Sequence, residues 1–146
     1  MEDSYDLERY LAAQEPVYPR VCAELASGRK ESHWMWFIFP QLAGLGSSAT
    51  ARHYAIGSLD EARAYLGHPV LGARLRECTR LVNESQGRTI EEIFGYPDHL
   101  KFRSCMTLFA SAAAEAGDDA QGTVFRKALR RYFGGEEDPL TRRLLG

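Results

Sequence analysis

The stretch that most constrains this chain is Lys30-Glu31-Ser32-His33-Trp34-Met35-Trp36-Phe37-Ile38-Phe39-Pro40-Gln41. Both tryptophans of the protein and two of its seven phenylalanines fall between positions 34 and 39. Aromatic side chains bury large areas, and an indole N–H needs a partner once it leaves water. The block is therefore the expected seed of the core. Polar groups flank it: His33, Gln41 and, past a glycine turn, Ser47 and Ser48. They are expected where the core meets a cleft. Periodicity over so few residues does not separate a buried strand from a buried helix. The helical pattern elsewhere decides for a helix, capped by Ser32 and closed before Pro40.

The remaining elements read as helices in turn. Asp6 is the expected cap of a first helix carrying Leu7, Tyr10 and Leu11, which Pro16 ends. Pro19 opens a second, running to Ser27 and stopped by Gly28. A short helix is expected from Ser48 to Ile56. Ser58 with Glu61, and Thr89 with Glu92, have capping-box spacing and open helices closed by Gly67 and Gly95. Between them, His68-Pro69 starts a helix with Val70, Leu71, Leu75, Cys78 and Val82 on one face. After Tyr96-Pro97-Asp98 comes the broadest apolar face, built from Leu100, Phe102, Cys105, Met106, Phe109, Ala110 and Ala113. Gly117-Asp118-Asp119 reads as a flexible polar loop, Gln121 to Phe133 as an amphipathic helix, and Asp138-Pro139 as the cap of a last short one. No solenoid repeat, low-complexity tract or linker interrupts the chain. The expected fold class is all-α: one domain over residues 1–146, a compact irregular array of about seven to nine short helices.

Bulk properties narrow the classes of function. A chain of 146 residues buries about 70% of the surface its unfolded form exposes, enough for its own core. A 45% hydrophobic and 26% charged composition is that of a soluble globular protein. The net charge of −2 gives no bulk attraction to nucleic acid or anionic membrane. No apolar run is long enough to span a bilayer, and no signal peptide is expected at the acidic start. Cys22, Cys78 and Cys105 are odd in number and lack a C-x-x-C pair. That argues against a disulfide framework or zinc knuckle and for a cytoplasmic location. The four histidines, His33, His53, His68 and His99, make no i, i+4 pair, so no metal is expected, and no cofactor.

Four features could carry chemistry. Gly44-Leu45-Gly46-Ser47-Ser48-Ala49 spells G-x-G-x-x-A, but it lacks the second strand and the acidic residue of a dinucleotide fold. Two readings of it stay open: a tight turn with a serine cap, and an anion seat at a helix start formed by Gly46, Ser47 and Ser48. Lys101 directly precedes the core residue Phe102, with Arg103 next and Ser104 on its own face. Such a lysine either snorkels to water or loses hydration and becomes nucleophilic toward a sugar aldehyde. His33 is either a proton-transfer group or a hydrogen-bonded histidine at the core's edge. Arg126, Lys127, Arg130 and Arg131 form a strip suited to phosphates. Glu136, Glu137 and Asp138 follow at once, so a solvated helix face is the expectation there.

Several stretches together carry a resemblance. They are the block from Ser32 to Gln41, then Gly44-Leu45-Gly46, Tyr54-Ala55-Ile56, Ser58-Leu59-Asp60-Glu61-Ala62, His68-Pro69-Val70-Leu71-Gly72, Phe94-Gly95, and Asp98 through Phe109. The chain resembles, over nearly its whole length, the uncharacterised bacterial and fungal family catalogued as domain of unknown function 1810. That family often has a serine where Cys105 stands here, which argues against an essential thiol at this position. The resemblance implies an all-α, soluble, cytoplasmic protein and supplies no activity. Separately, the Lys101-Phe102 pair is similar to the lysine-phenylalanine helix of the NADAR superfamily, small α-rich proteins acting on ADP-ribose or related ribosyl N-glycosides. That likeness implies Lys101 as a nucleophile or ribose contact.

Two functions follow. In the first, the protein is an enzyme or binder of ADP-ribose or nucleotide-sugar ligands. Trp34, Trp36 and Gln41 would receive the ligand, Gly46, Ser47 and Ser48 its phosphate, and Arg103 and Ser104 would extend the set. Lys101 would act at the anomeric carbon with His33 moving the proton. In the second, it is a non-catalytic helical binding or regulatory module. The first requires that the tryptophan block and the lysine-bearing helix meet at an accessible hollow. The expected partner is a small nucleotide-type molecule, with neither membrane nor nucleic acid; oligomeric state is left open.

Overall fold

The structure, a computed structural model, describes residues 3–117 and 119–146. Its elements are α1 (Glu8–Gln14), α2 (Tyr18–Ala26), α3 (Met35–Ile38), α4 (Ala49–His53), α5 (Leu59–Gly67), α6 (Leu71–Glu84), α7 (Ile90–Phe94), α8 (Asp98–Glu115), α9 (Asp119–Phe133) and α10 (Pro139–Leu145). The fold is all-α, as expected, with ten helices among the described residues where about seven to nine were anticipated. Each of the ten answers to a helix expected along the sequence, α3 to the aromatic block. The polar loop expected at Gly117-Asp118-Asp119 lies in part outside the described residues, and α9 begins two residues before the expected Gln121.

Most helix starts follow local chemistry. Thr89 and Glu92 form a complete capping box at α7, and Asp138 accepts from the Thr141 amide to open α10. Ser58 caps α5, but the Glu61 carboxylate turns away to the Gly57 amide and to Arg9, so that box is half-formed. His68 proves structural, its Nδ1 accepting from the amides of Val70 and Leu71 at 3.1 and 3.2 Å to open α6. Three expectations are corrected. Asp6 does not cap α1; it sits at φ 51, and Asp3, farther out, accepts from the Leu7 and Glu8 amides at 2.7 and 2.9 Å. Ser32 does not cap α3, because its hydroxyl is committed to Glu24. The helix expected to reach Ile56 ends at His53. Ile56 is drawn instead into an isolated parallel bridge with Leu42, where it donates to the Gln41 carbonyl and accepts from the Ala43 amide, both at 2.8 Å.

The core runs along α8, which packs against α5, α7, α9 and α10. Phe102, Cys105, Met106 and Phe109 of α8 are wholly buried. A chain of ring contacts joins this helix to the aromatic block: Trp34 to Phe39 at 6.1 Å, Phe39 to Phe102 at 5.1 Å, and Phe94 stacked on Phe102 at 4.9 Å. Tilted and edge-on ring pairs of this kind add about 0.5–1.5 kcal/mol each beyond their burial. They bring residues far apart in sequence to one place, the first turn of α8 beside α3.

Candidate functional site

The two tryptophans part company. Trp34 is 2% exposed and its indole N–H donates to Glu24 at 2.9 Å. The Glu24 carboxylate also accepts from the Glu31 and Ser32 amides and the Ser32 hydroxyl. Burial alone would raise its pKa; the hydrogen bonds outweigh that and hold it at about 2. Trp34 is thus a structural wall with its polar edge satisfied. Two residues on, about 200° around the one-turn helix, Trp36 is only half-buried. Its ring faces a cleft of about 330 Å³ between α3, the start of α4 and the first turn of α8.

The cationic side of that cleft is built on one carboxylate. Asp98 accepts from the Lys101 ammonium at 2.9 Å and from the Lys30 ammonium at 3.0 Å. Burial pulls the Asp98 carboxyl upward, but the two lysines outweigh it and keep it below the usual carboxylate range. The Lys101 nitrogen lies 4.3 Å from the centre of the Trp36 ring, and that of Lys30 5.1 Å from the Trp34 ring. A cation over an aromatic face is held by the ring quadrupole. Lys30 is also tied down through its amide, which donates to the Ile93 carbonyl at 2.7 Å. Two ammonium groups against one carboxylate leave one positive charge facing the hollow. His33 is exposed at its rim, and Ser48 and Thr50 line the far side.

Of the residues singled out from sequence, Lys101, His33, Trp34, Trp36 and Ser48 line this cleft together. The others lie elsewhere. A Cβ on Gly46 would come within 2.7 Å of the Ala51 Cβ and 2.9 Å of the Trp36 ring, so glycine there lets the turn pack behind the tryptophan. The Ser47 side chain is outside the cleft, and its carbonyl accepts from Arg52. Ser48 uses its hydroxyl oxygen to accept from the Ala51 amide at 3.0 Å, the serine-cap reading of the turn. Gln41 is buried beside a hollow of about 10 Å³ behind Trp36, and its side-chain nitrogen has no partner among the described residues. Arg103 is turned about 200° from Lys101 on α8, and its guanidinium donates to the Glu136 and Glu137 carbonyls. Ser104 is buried and donates back to the Leu100 carbonyl.

Sequence reasoning missed Lys30, Asp98 and Thr50 as cleft residues. The Asp98–Lys101 pair had a signal, since i, i+3 neighbours of opposite charge on a helix meet. Lys30 and Thr50 had none, because only folding brings them there. It also missed that Cys22 and Cys78, on packed helices, share hydrogen bonds with the Tyr18 hydroxyl. The Cys78 hydrogen bond lowers the Cys22 thiol to about 6 against burial, with Tyr18 assisting. Among the described residues no group of three His, Cys, Asp or Glu side chains could hold a metal ion, and no helix is long and apolar enough to cross a membrane.

Among solved structures, the chain is similar to the conserved hypothetical protein Rv1873 from Mycobacterium tuberculosis. The two share 56% identity over 98% of each chain, with a TM-score of 0.93. No curated protein matches. Residues 4–145 match the family described as Protein of unknown function (DUF1810), and the chain belongs to that family.

Proposed function

We propose that the cleft between α3 and the first turn of α8 binds an anionic ligand of nucleotide or nucleotide-sugar type, ADP-ribose being the representative. The observation that carries this reading is the meeting of Lys101, Lys30 and Asp98 with the half-buried Trp36 around one hollow. An open aromatic face takes a planar base or the apolar face of a sugar, and one excess cation in a partly desolvated wall takes a phosphate. The volume falls at the small end of ligand pockets, room for one part of such a ligand with the rest in solvent. Asp98 would hold the two ammonium groups apart until a phosphate shares them.

Turnover would go through Lys101. Its amine, once a proton passes to a base such as His33, would add to the aldehyde carbon of an open-chain ribose, and loss of water would leave a Schiff base. A second reading rests on one distance. The Lys101 nitrogen lies 2.9 Å from Asp98, and a side chain committed to that ion pair suits binding without chemistry.

Both readings are tested by titrating the protein with ADP-ribose and NAD, following Trp36 fluorescence and heat, and by borohydride treatment of the mixture. Lys101→Ala and Trp36→Ala are each expected to weaken ADP-ribose binding about tenfold, or about 1.4 kcal/mol. An adduct on Lys101 assigns turnover; binding without one assigns the module. No binding of either ligand by the unaltered chain ends the proposal.

A further inference from the structure

The three cysteines are spread over the sequence, yet the fold brings two of them together. Cys22 of α2 and Cys78 of α6 meet where these two helices pack. Each helix presents a pair of residues four positions apart, which share a face: Tyr18 and Cys22 on α2, Arg74 and Cys78 on α6. The two pairs interlock. The Arg74 guanidinium lies 4.7 Å from the centre of the Tyr18 ring, and the Cys78 thiol donates to the Tyr18 hydroxyl at 4.0 Å. Cys22 shares one hydrogen bond with Cys78 and another with Tyr18. All three cysteines are free thiols. Cys105 stands apart, wholly buried in α8, where burial pushes its thiol up.

The paired thiols are not alike. Cys22 is half-buried and reaches solvent, whereas Cys78 is shut in the core. The hydrogen bond with Cys78 holds the Cys22 thiol well below its ordinary range against burial, with Tyr18 assisting. Of the charged groups that face it, Glu77 opposes this and Arg74 supports it. Cys78 is pushed the other way, by the same hydrogen bond and by burial. The thiolate is the reactive form of cysteine, and accessible cysteines of low pKa beside a second thiol are the ones that oxidise reversibly. Here a reactive outer sulfur touches a protonated inner one.

We infer that Cys22 and Cys78 form a reversible oxidation site, in which a hydroperoxide converts Cys22 to its sulfenic acid and Cys78 then closes a disulfide between α2 and α6. In the first step the Cys22 thiolate attacks a peroxide oxygen; an S–O bond forms, the O–O bond breaks, and hydroxide or alkoxide leaves. In the second step the Cys78 sulfur attacks the Cys22 sulfur. The S–S bond forms, the S–O bond breaks, and the departing hydroxide takes the Cys78 proton as water. The two thiols lose two electrons and the peroxide gains them. A dithiol reductant returns both electrons and both protons. The inference does not depend on the cleft at Lys101.

The experiment exposes the full reduced chain to a small excess of hydrogen peroxide, blocks the remaining thiols with iodoacetamide under denaturing conditions, and maps the products by mass spectrometry. A Cys22–Cys78 disulfide is expected, with Cys105 alkylated, and dithiothreitol is expected to restore the parent mass. In Cys78→Ala the sulfenic acid has no neighbour to close on. Dimedone is therefore expected to label Cys22 at least about tenfold more in that variant than in the parent. Alkylation kinetics of the native chain read the contact itself: the pH of half-maximal rate at Cys22 is expected to rise by at least about one unit in Cys78→Ala. Mapping of the unaltered chain decides the question where that variant does not fold. A disulfide joining two copies through Cys22, a sulfinic acid at Cys22 with Cys78 still alkylated, or no oxidation of Cys22 ahead of Cys105 overturns the inference.

Discussion

Trp34 and Trp36 show how much a neighbouring carboxylate decides. Both are large, both carry an N–H, and only Trp34 finds Glu24 within 2.9 Å. Glu24 is 7% exposed, yet charged, because four donors replace its water. A buried carboxylate is tolerated only when its lone pairs are filled in this way. Glu24→Gln keeps the shape but turns an amide N–H toward donors and removes the charge. The expected loss is about 2–3 kcal/mol, seen as a drop in thermal midpoint on the order of 5–10 °C. Trp34 near-ultraviolet dichroism is expected to weaken with it. A variant as stable as the parent would mean the carboxylate is not the anchor of the wall. None of this was legible from sequence, since the donors to Glu24 all lie past the end of its helix.

Element boundaries were legible where the capping chemistry is local. The Thr89–Glu92 box closes on itself within one turn, so its residues determine it. Thr89→Ala is expected to cost about 1 kcal/mol, measured as a shift in urea midpoint with unchanged slope. The cap failures have a common cause. Ser32 and Glu61 are good capping residues that a distant partner takes: Glu24 for one, Arg9 for the other. Asp6 lost its place to Asp3, because the chain enters α1 through a turn in which Asp6 is left-handed. The glycine turn went the other way. Its serine cap formed as the local rule requires, and Gly46 lets the turn pack against Trp36.

At the scale of the whole molecule, acid stability follows from the same carboxylates. Glu24 and Asp98 both have folded-state pKa values below their ordinary ones. A depressed carboxylate contributes stability that is complete above its unfolded value and is lost as pH falls toward its folded value. The chain is therefore expected to weaken from about pH 4.5 down to about pH 2, the folded value of Glu24. Urea midpoints at pH 7, 4 and 3 measure this, and Glu24→Gln is expected to flatten the decline. A midpoint independent of pH over that range would remove these groups as its source. The site at this scale was half legible. The meeting of the tryptophan block with Lys101 follows from apolar faces that have to be buried together. The pairing of Lys101 with Lys30 through Asp98 is a product of that meeting and has no trace in local pattern.

The sequence by itself determined the helical class, most helix starts, and which aromatic residues form the core, because periodicity, caps and burial act over a turn or two of chain. The tertiary structure alone decided which tryptophan faces solvent and which lysines share a carboxylate. Those outcomes depend on side chains up to about seventy positions apart, such as Lys30 and Asp98, and their electrostatics exist only once the core has brought them together.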